Sequence, residues 1–276
     1  FTDKYRIYSC MYRFIDTTSN NGAMNMAIDE ALLLGQADYG LPPAVRVYQF
    51  VPATLSIGYF QRMEKEVDID YCKNRGFDIV RRPTGGRAVL HDKELTYSIT
   101  IAYPHRILEM NLLDSFHFLS KGIIKAIEVL GGKAYFSRRE DNEINSSSCF
   151  AAPTFSDILI DGKKVVGSAQ MRNKFGLIQH GSILYDVNLN DIFHCIKIED
   201  SQRDKIISLA SNKITSLNSE LKRKVTLDEL KRAFKIGMQD VLQEEFVDSS
   251  MDERELKMAQ RLFEEKYNTH EWNFKR

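Results

Sequence analysis

The chain has 276 residues, 43% hydrophobic and 28% charged, enough to bury one sizeable core or two small ones. Its 38 basic and 38 acidic side chains cancel, which removes the basic surplus of a general nucleic-acid binder and leaves partners to be recognised locally. No apolar run approaches the roughly 20 residues of a membrane helix, and residues 1–12 alternate charged and aromatic side chains instead of forming a signal peptide. A cytoplasmic protein without a membrane segment is expected. Cys10, Cys72, Cys149 and Cys195 are widely spaced, with no Cys-x-x-Cys and no histidines at ligand spacing. Neither a disulfide framework nor a structural metal is expected.

The first periodic segment, 22–34, predicts a helix capped by Asn20 or Asn21. Met24, Ala27, Ile28, Ala31 and Leu32 form its apolar face, with Asp29 and Glu30 as polar positions. After Pro42-Pro43 the pattern turns to strands at 44–50 and 54–59, joined by Val51-Pro52-Ala53 in what reads as a hairpin. A short helix at 68–75, closed by Gly76, precedes a strand at 77–82 that stops where Pro83 removes a backbone donor. Further strands are expected at 87–90 and 95–102.

Residues 112–130 predict a long amphipathic helix ended by Gly131-Gly132, and 133–136 a strand. Periodicity then disappears. Residues 137–153 carry mixed charge, two asparagines and Ser146-Ser147-Ser148, the composition of an exposed loop. Asp161-Gly162 is a strong two-residue hairpin signal between strands at 158–160 and 164–169. Another strand is read at 177–184, and the remainder is mostly helical, most clearly at 227–246 and 254–267. No repeat, long linker or low-complexity tract interrupts this order. The class is α+β, a mixed, mainly antiparallel sheet with helices packed beside it.

Three groups of residues carry possible chemistry. In Arg81-Arg82-Pro83-Thr84-Gly85-Gly86-Arg87-Ala88-Val89, adjacent glycines let the backbone approach a ligand and aim N–H groups at it, while the arginines add donors and charge. A plain glycine turn would use the same residues. Cys149 sits in a polar loop, where functional groups concentrate, whereas the other three cysteines lie among apolar or aromatic neighbours and read as small buried hydrophobes. A nucleophilic thiol needs a cation to favour the thiolate, because a pKa near ~8.5 leaves little of it ionised at neutral pH. Lys164, at the start of the return strand, is the candidate cation; a solvated strand end beside Lys163 is the alternative. His180 is read as lining the site, with a Cys/His pair as another possibility, and His91 as structural. Lys222-Arg223-Lys224 reads as a solvated turn.

Taken in order, Arg13-Phe14-Ile15-Asp16, Asn25-Met26-Ala27-Ile28-Asp29-Glu30, the 81–89 segment, Lys164 with Gly167-Ser168-Ala169-Gln170, and Gln179-His180-Gly181-Ser182-Ile183 resemble the lipoate-protein ligase A and octanoyltransferase family. The likeness extends to Glu271-Trp272-Asn273-Phe274. It implies the fold shared with biotin ligases, a catalytic domain over 11–246 and a helical extension of it over 247–276. Within the family the resemblance points to bacterial octanoyl transfer from acyl carrier protein to a lysine of a lipoyl domain, such as glycine cleavage H protein. Cys149 would then carry the acyl-thioester, Lys164 would lower its pKa, and Arg82 with the 87–90 strand would line the acyl pocket. Gly85, Gly86, Arg87, Ala88, Val89, Ser168, Ala169, His180 and Gly181 complete the expected site. A monomer needing no cofactor and no metal is implied.

A ligase must spend ATP to activate a free carboxylate, whereas a thioester arrives activated. A dedicated cysteine serves only the second route. An octanoyl amidotransferase between lipoyl domains, an ATP-dependent lipoate ligase, and a non-catalytic protein that binds acylated carrier domains are the alternatives.

Overall fold

A computed structural model describes residues 11–137 and 157–275. Cys10 and Cys149 therefore lie outside the described residues. The first element among the described residues is a strand absent from the sequence reading, β1 (Tyr12–Asn20). Phe14 and Ile15 point to two different core clusters, so β1 is covered on both faces and lacks a clean alternation of apolar and polar residues. Helix α1 (Gly22–Tyr39) follows, capped by Asn21, whose side chain accepts the Met24 N–H, and ended by Gly40 at φ 66°.

The expected hairpin between 44–50 and 54–59 does not form. Strand β2 (Ala44–Phe50) is paired on both edges, by β1 and by β6 (Glu94–Ala102), and has no free edge for the next strand. β3 (Thr54–Ile57) instead forms the middle of a separate three-stranded sheet, between β4 (Asp78–Arg81) and β5 (Val89–His91). Between β3 and β4 run α2 (Met63–Glu66) and α3 (Ile69–Asn74), the latter capped by Asp68 and followed by Gly76 at φ 69°.

After β6 come α4 (Arg106–Glu109), α5 (Leu112–Val129) and β7 (Ala134–Phe136). The description resumes at Asp157, before β8 (Ile158–Ile160), β9 (Lys163–Arg172) and β10 (Gly176–Leu184). Asp161 and Gly162 sit at φ 48° and 78°, the positive pair that a tight two-residue hairpin demands. The last part contains α6 (Leu189–His194), α7 (Asp200–Ser211), α8 (Leu217–Glu220) and α9 (Leu227–Leu242), then β11 (Phe246–Asp248), α10 (Glu253–Leu262), a π-helical turn Phe263–Tyr267, and α11 (His270–Asn273). Helix α9 stops short of the expected 246 because Gln243 turns left-handed at φ 55°, which frees Phe246 to pair with β1.

The main sheet has the order β11-β1-β2-β6-β10-β9-β8-β7. Its first two pairings are parallel and the rest antiparallel. Leu95, Tyr97, Ile99 and Ile101 of β6 bury one face with Leu119 and Ile123 of α5 and Phe234 and Met238 of α9. α1 and α10 lie at the opposite face, through Ile28, Leu32, Met258 and Ala259. A buried pair, Arg13 with Glu255 at 2.8 Å, ties α10 to β1. The small sheet packs through Leu55, Ile57 and Leu90 against Met63, Cys72 and Cys195, both cysteines fully buried as expected. No helix among the described residues is long and apolar enough to cross a membrane.

Candidate active site

Between the small sheet, α6 and the β6-β10-β9 strands lies a cavity of about 530 Å³, within the usual size of a small-molecule pocket. Leu55, Leu90, Leu184, Ile192, Phe193 and Ile196 give it apolar walls. Of the residues singled out in the sequence, Arg82, Gly86, Arg87, Ala88, Val89, Lys164, Ser168, Ala169, His180 and Gly181 all reach it. Gly85 is not on its wall: its carbonyl turns inward and accepts from Arg82 Nε and Nη2 at 3.2 and 2.9 Å. The chemistry expected of Cys149 falls outside the described residues.

Lys164 owes its position to a bulge. Ile158 pairs with Val166 but Leu159 with Lys164, so Val165 is an extra residue in β9, and such bulges re-aim neighbouring side chains. The Lys164 N–H donates to the Lys213 carbonyl at 2.7 Å, and its carbonyl accepts from Thr215 at 2.9 Å, which ties this point of the strand to the 213–215 segment. Its Nζ stands 2.8 Å from Asp157 Oδ1; the carboxylate is 3% exposed and the lysine side chain 33%. Gly167 makes room for the ammonium, since a Cβ there would lie 3.1 and 3.2 Å from Lys164 Cε and Nζ. At this same point the Ser137 N–H donates to the Asp157 carbonyl at 3.0 Å. Ser137 and Asp157, the described residues on either side of 138–156, are thus joined beside the Lys164 ammonium.

Arg82 departs from its expected role as a donor to ligand. Its five N–H groups go to Gly85 O twice, Ser56 O, Ser56 Oγ and Arg87 O. Burial pushes this guanidinium down to about 10, and the carbonyls stand in for a carboxylate partner. The Arg82 side chain therefore shapes the glycine loop. Arg81 holds a different segment, donating to the carbonyls of Gly58, Tyr59 and Gln61 and tying them to those of Trp272 and Asn273.

His180 lies at the junction of cavity and core. Its Nε2 is 2.7 Å from Thr84 Oγ1 and its Nδ1 3.4 Å from Asp29 Oδ2. Burial lowers its pKa, against the pull of Asp29, and keeps the ring neutral. Asp29, a polar helix position in the sequence reading, is fully buried. It accepts from Arg46 Nη1 and Ser98 Oγ, each at 2.6 Å, and from the Tyr48 hydroxyl at 3.0 Å. Burial alone would raise this carboxyl, but Arg46, then His180 and Ser98, outweigh it and hold it below the usual range. Ser168 reaches the cavity, yet its hydroxyl is paired at 2.6 Å with that of Tyr97, which burial pushes up to about 12.

Ser182, quoted in the Gln179-to-Ile183 motif, lines the wall as well, and other wall residues escaped the sequence reading: Ser56, Thr96, Asp157 and the apolar side of α6. Only Asp157 carried a local signal. It is an acidic residue just before a hairpin whose return strand starts with lysine.

An apolar cavity with a lysine at its edge and a glycine loop along its wall suits a catalytic domain that takes a largely apolar substrate. The chain belongs to the lipoyl protein ligase A/B catalytic domain family, whose model matches residues 21–239. It is 38% identical over 274 residues to an octanoyltransferase LipM of Anoxybacillus flavithermus, covering 96% of this chain and 99% of that one. The octanoyltransferase LipM of Bacillus subtilis is 37% identical over 273 residues, with 96% and 98% covered. In three dimensions it resembles the bipartite lipoate protein ligase of Thermoplasma acidophilum, with TM-score 0.81, 28% identity and 96% of each chain covered. A lipoate-protein ligase A bound with ATP gives TM-score 0.78, 28% identity, and 96% and 98% coverage.

Proposed function

We propose that this chain is an acyltransferase that takes an octanoyl group from a thioester donor, acyl carrier protein, and delivers it to a lysine of a lipoyl domain. The relatives named octanoyltransferase, similar over nearly the whole chain, support the reaction class. One observation supports the residue assignment: Ser137 and Asp157, which flank the segment holding Cys149 in the sequence, are hydrogen-bonded beside the Lys164 ammonium, at the edge of an apolar cavity.

In this reading the Cys149 sulfur attacks the donor's carbonyl carbon, the carrier thiol leaves with a proton, and an acyl-thioester remains on the enzyme. The acceptor lysine's neutral amine then attacks that carbonyl, the C–S bond breaks, and the proton lost from nitrogen returns to the Cys149 thiol. The Lys164 ammonium favours the thiolate and the developing oxyanion, while Asp157 fixes it in place. Amides of the stretch from Gly86 to Ala88, which lines the cavity, are the donors available to the acyl carbonyl. Each methylene in the slot contributes ~0.8 kcal/mol. No cofactor is needed, because the donor is already activated. The acceptor is a lipoyl domain such as glycine cleavage H protein, and the enzyme acts as a cytoplasmic monomer.

Intact-mass measurement after mixing with octanoyl-acyl carrier protein, without ATP, tests this. A hydroxylamine-labile octanoyl adduct that vanishes in Cys149→Ala is expected. Lack of an adduct, together with ATP-dependent attachment of free lipoate to a lipoyl domain, would establish the second reading, a ligase, which the likeness to lipoate ligases favours.

A further inference from the structure

Two hydrogen-bonded rows converge on the loop that contains Gly85 and Gly86. In the first, Arg82 Nη1 lies 3.1 Å from Ser56 Oγ, Ser56 Oγ 2.8 Å from His91 Nε2, and His91 Nδ1 2.5 Å from Glu94 Oε1. In the second, Thr84 Oγ1 lies 2.7 Å from His180 Nε2, and His180 Nδ1 3.4 Å from Asp29 Oδ2. A guanidinium only donates and a carboxylate only accepts; with a single proton on the His91 ring, at Nδ1 toward Glu94, the first row runs one way, from Arg82 through Ser56 and His91 to Glu94. The second runs likewise from the Thr84 hydroxyl through His180 to Asp29.

A serine, histidine and glutamate in line invite comparison with a nucleophile and its base. Ser56 does not fit that role. Its side chain is fully buried, and its oxygen already accepts from a guanidinium. What the rows share is their destination. Arg82 passes one further donor to Ser56 O and its other three to Gly85 O and Arg87 O, so the first row grips the far side of the loop from the small sheet. The second grips Thr84, on the near side, from α1 and the main sheet. Both origins are themselves fixed: Glu94 also accepts from Thr96 Oγ1 at 2.7 Å, and His91 stacks on Phe50 with ring centres 4.3 Å apart. Asp29 is held by Arg46, Tyr48 and Ser98.

We infer that His91 and His180 are positioning residues for acyl transfer, each conveying the hold of a buried carboxylate to one side of the 84–87 loop so that its amides stay aimed at the acyl carbonyl. This rests on the reading that the cavity holds the acyl group. Loosening either row lets the loop drift, and a reacting geometry displaced by ~1 Å loses roughly 10²-fold in rate.

Ser56→Ala and Thr84→Val cut the rows at their hydroxyls with little change of volume, Thr84→Ser restores the second, and Ser120→Ala removes a buried hydroxyl elsewhere, the one that accepts from Gln179 at 3.0 Å. Full-length variants are compared by amide hydrogen exchange of residues 84–87 in the enzyme alone, and by kcat/KM for octanoyl-acyl carrier protein. Ser56→Ala and Thr84→Val should raise exchange in the loop roughly tenfold and lower kcat/KM by roughly 10- to 100-fold. Thr84→Ser should return both toward wild type, and Ser120→Ala should change neither, even where its melting temperature falls as far. Unchanged loop exchange in Ser56→Ala and Thr84→Val, or faster exchange with wild-type acylation, overturns the inference. A wild-type chain that accepts no acyl group defeats the functional reading instead, and the exchange measurement, needing no donor, separates the two failures.

Discussion

Gly58 does not reach the cavity wall, yet replacing it with alanine should cripple the enzyme. A Cβ at this position would stand 2.0 Å from the Gly86 carbonyl oxygen and 2.9 Å from its carbonyl carbon. Both are backbone atoms that cannot rotate aside. Real Cβ contacts stay beyond 3.0 Å, so the loop must retreat by about 1 Å. Misplacement on that scale costs on the order of 10²-fold in rate, equivalent to about 2.7 kcal/mol at ~1.36 kcal/mol per tenfold. Overpacking adds a stability loss of roughly 1–3 kcal/mol, so rates are compared well below each variant's melting temperature. Rapid-quench measurement of acylation by octanoyl-acyl carrier protein reads the effect directly. Should Gly58→Ala acylate at close to the wild-type rate while remaining folded, the loop's position does not govern the chemistry and the reasoning fails.

Chain-length preference follows from the apolar walls: removing one methylene from the acyl group loses ~0.8 kcal/mol, about fourfold in kcat/KM, so a hexanoyl donor should fall roughly 15-fold below octanoyl in a donor series. Gly167→Ala would press on Lys164 Cε and Nζ at 3.1 and 3.2 Å; the ammonium must give by a few tenths of an ångström, and pre-steady-state acylation should slow by several-fold with melting temperature nearly unchanged. Asp29→Asn leaves the fully buried Arg46 without its carboxylate, a loss of roughly 3–5 kcal/mol in denaturant unfolding at neutral pH. Because the folded Asp29 carboxyl lies below its ordinary value of 3.8, its contribution is present above that value and is lost as pH falls through the folded pKa. The stability gap between wild type and Asp29→Asn should therefore narrow only under strongly acidic conditions.

Local chemistry made the β8-β9 hairpin and α1 legible, because Asp161-Gly162 and Asn21 determine their own turn and cap within a few residues. The hairpin wrongly read across Val51-Pro52-Ala53 failed for the opposite reason: which sheet a strand joins depends on edges already taken by β1 and β6, which no local pattern encodes. Strands β1 and β11 pair across more than two hundred residues of sequence; β11 is a short edge strand with little periodicity of its own, and β1 is covered on both faces. At the site, the glycine loop, Lys164 and the Gly167-to-Ala169 strand were visible as motifs. Asp29 and Arg46 were not, since a charge in an amphipathic helix, like one in an alternating strand, normally reads as its solvated side. Only the fold brings the two together in the core, where they support His180. Arg82 was visible as a site residue, but its task was not: three of its donors close on Gly85 O and Arg87 O in the loop that it was expected to assist, and the other two on Ser56 of β3.

Whether the acyl group, once on the enzyme, passes to a lysine without further activation is the question on which everything else turns. Octanoyl-enzyme freed of donor by gel filtration and mixed with a purified lipoyl domain in a single turnover, with no nucleotide present, answers it. The expected outcome is stoichiometric appearance of the octanoyl mass on the domain's lysine as it leaves the enzyme. An octanoyl-enzyme that stays loaded beside the lipoyl domain, and yields product only when ATP is supplied, would contradict the account.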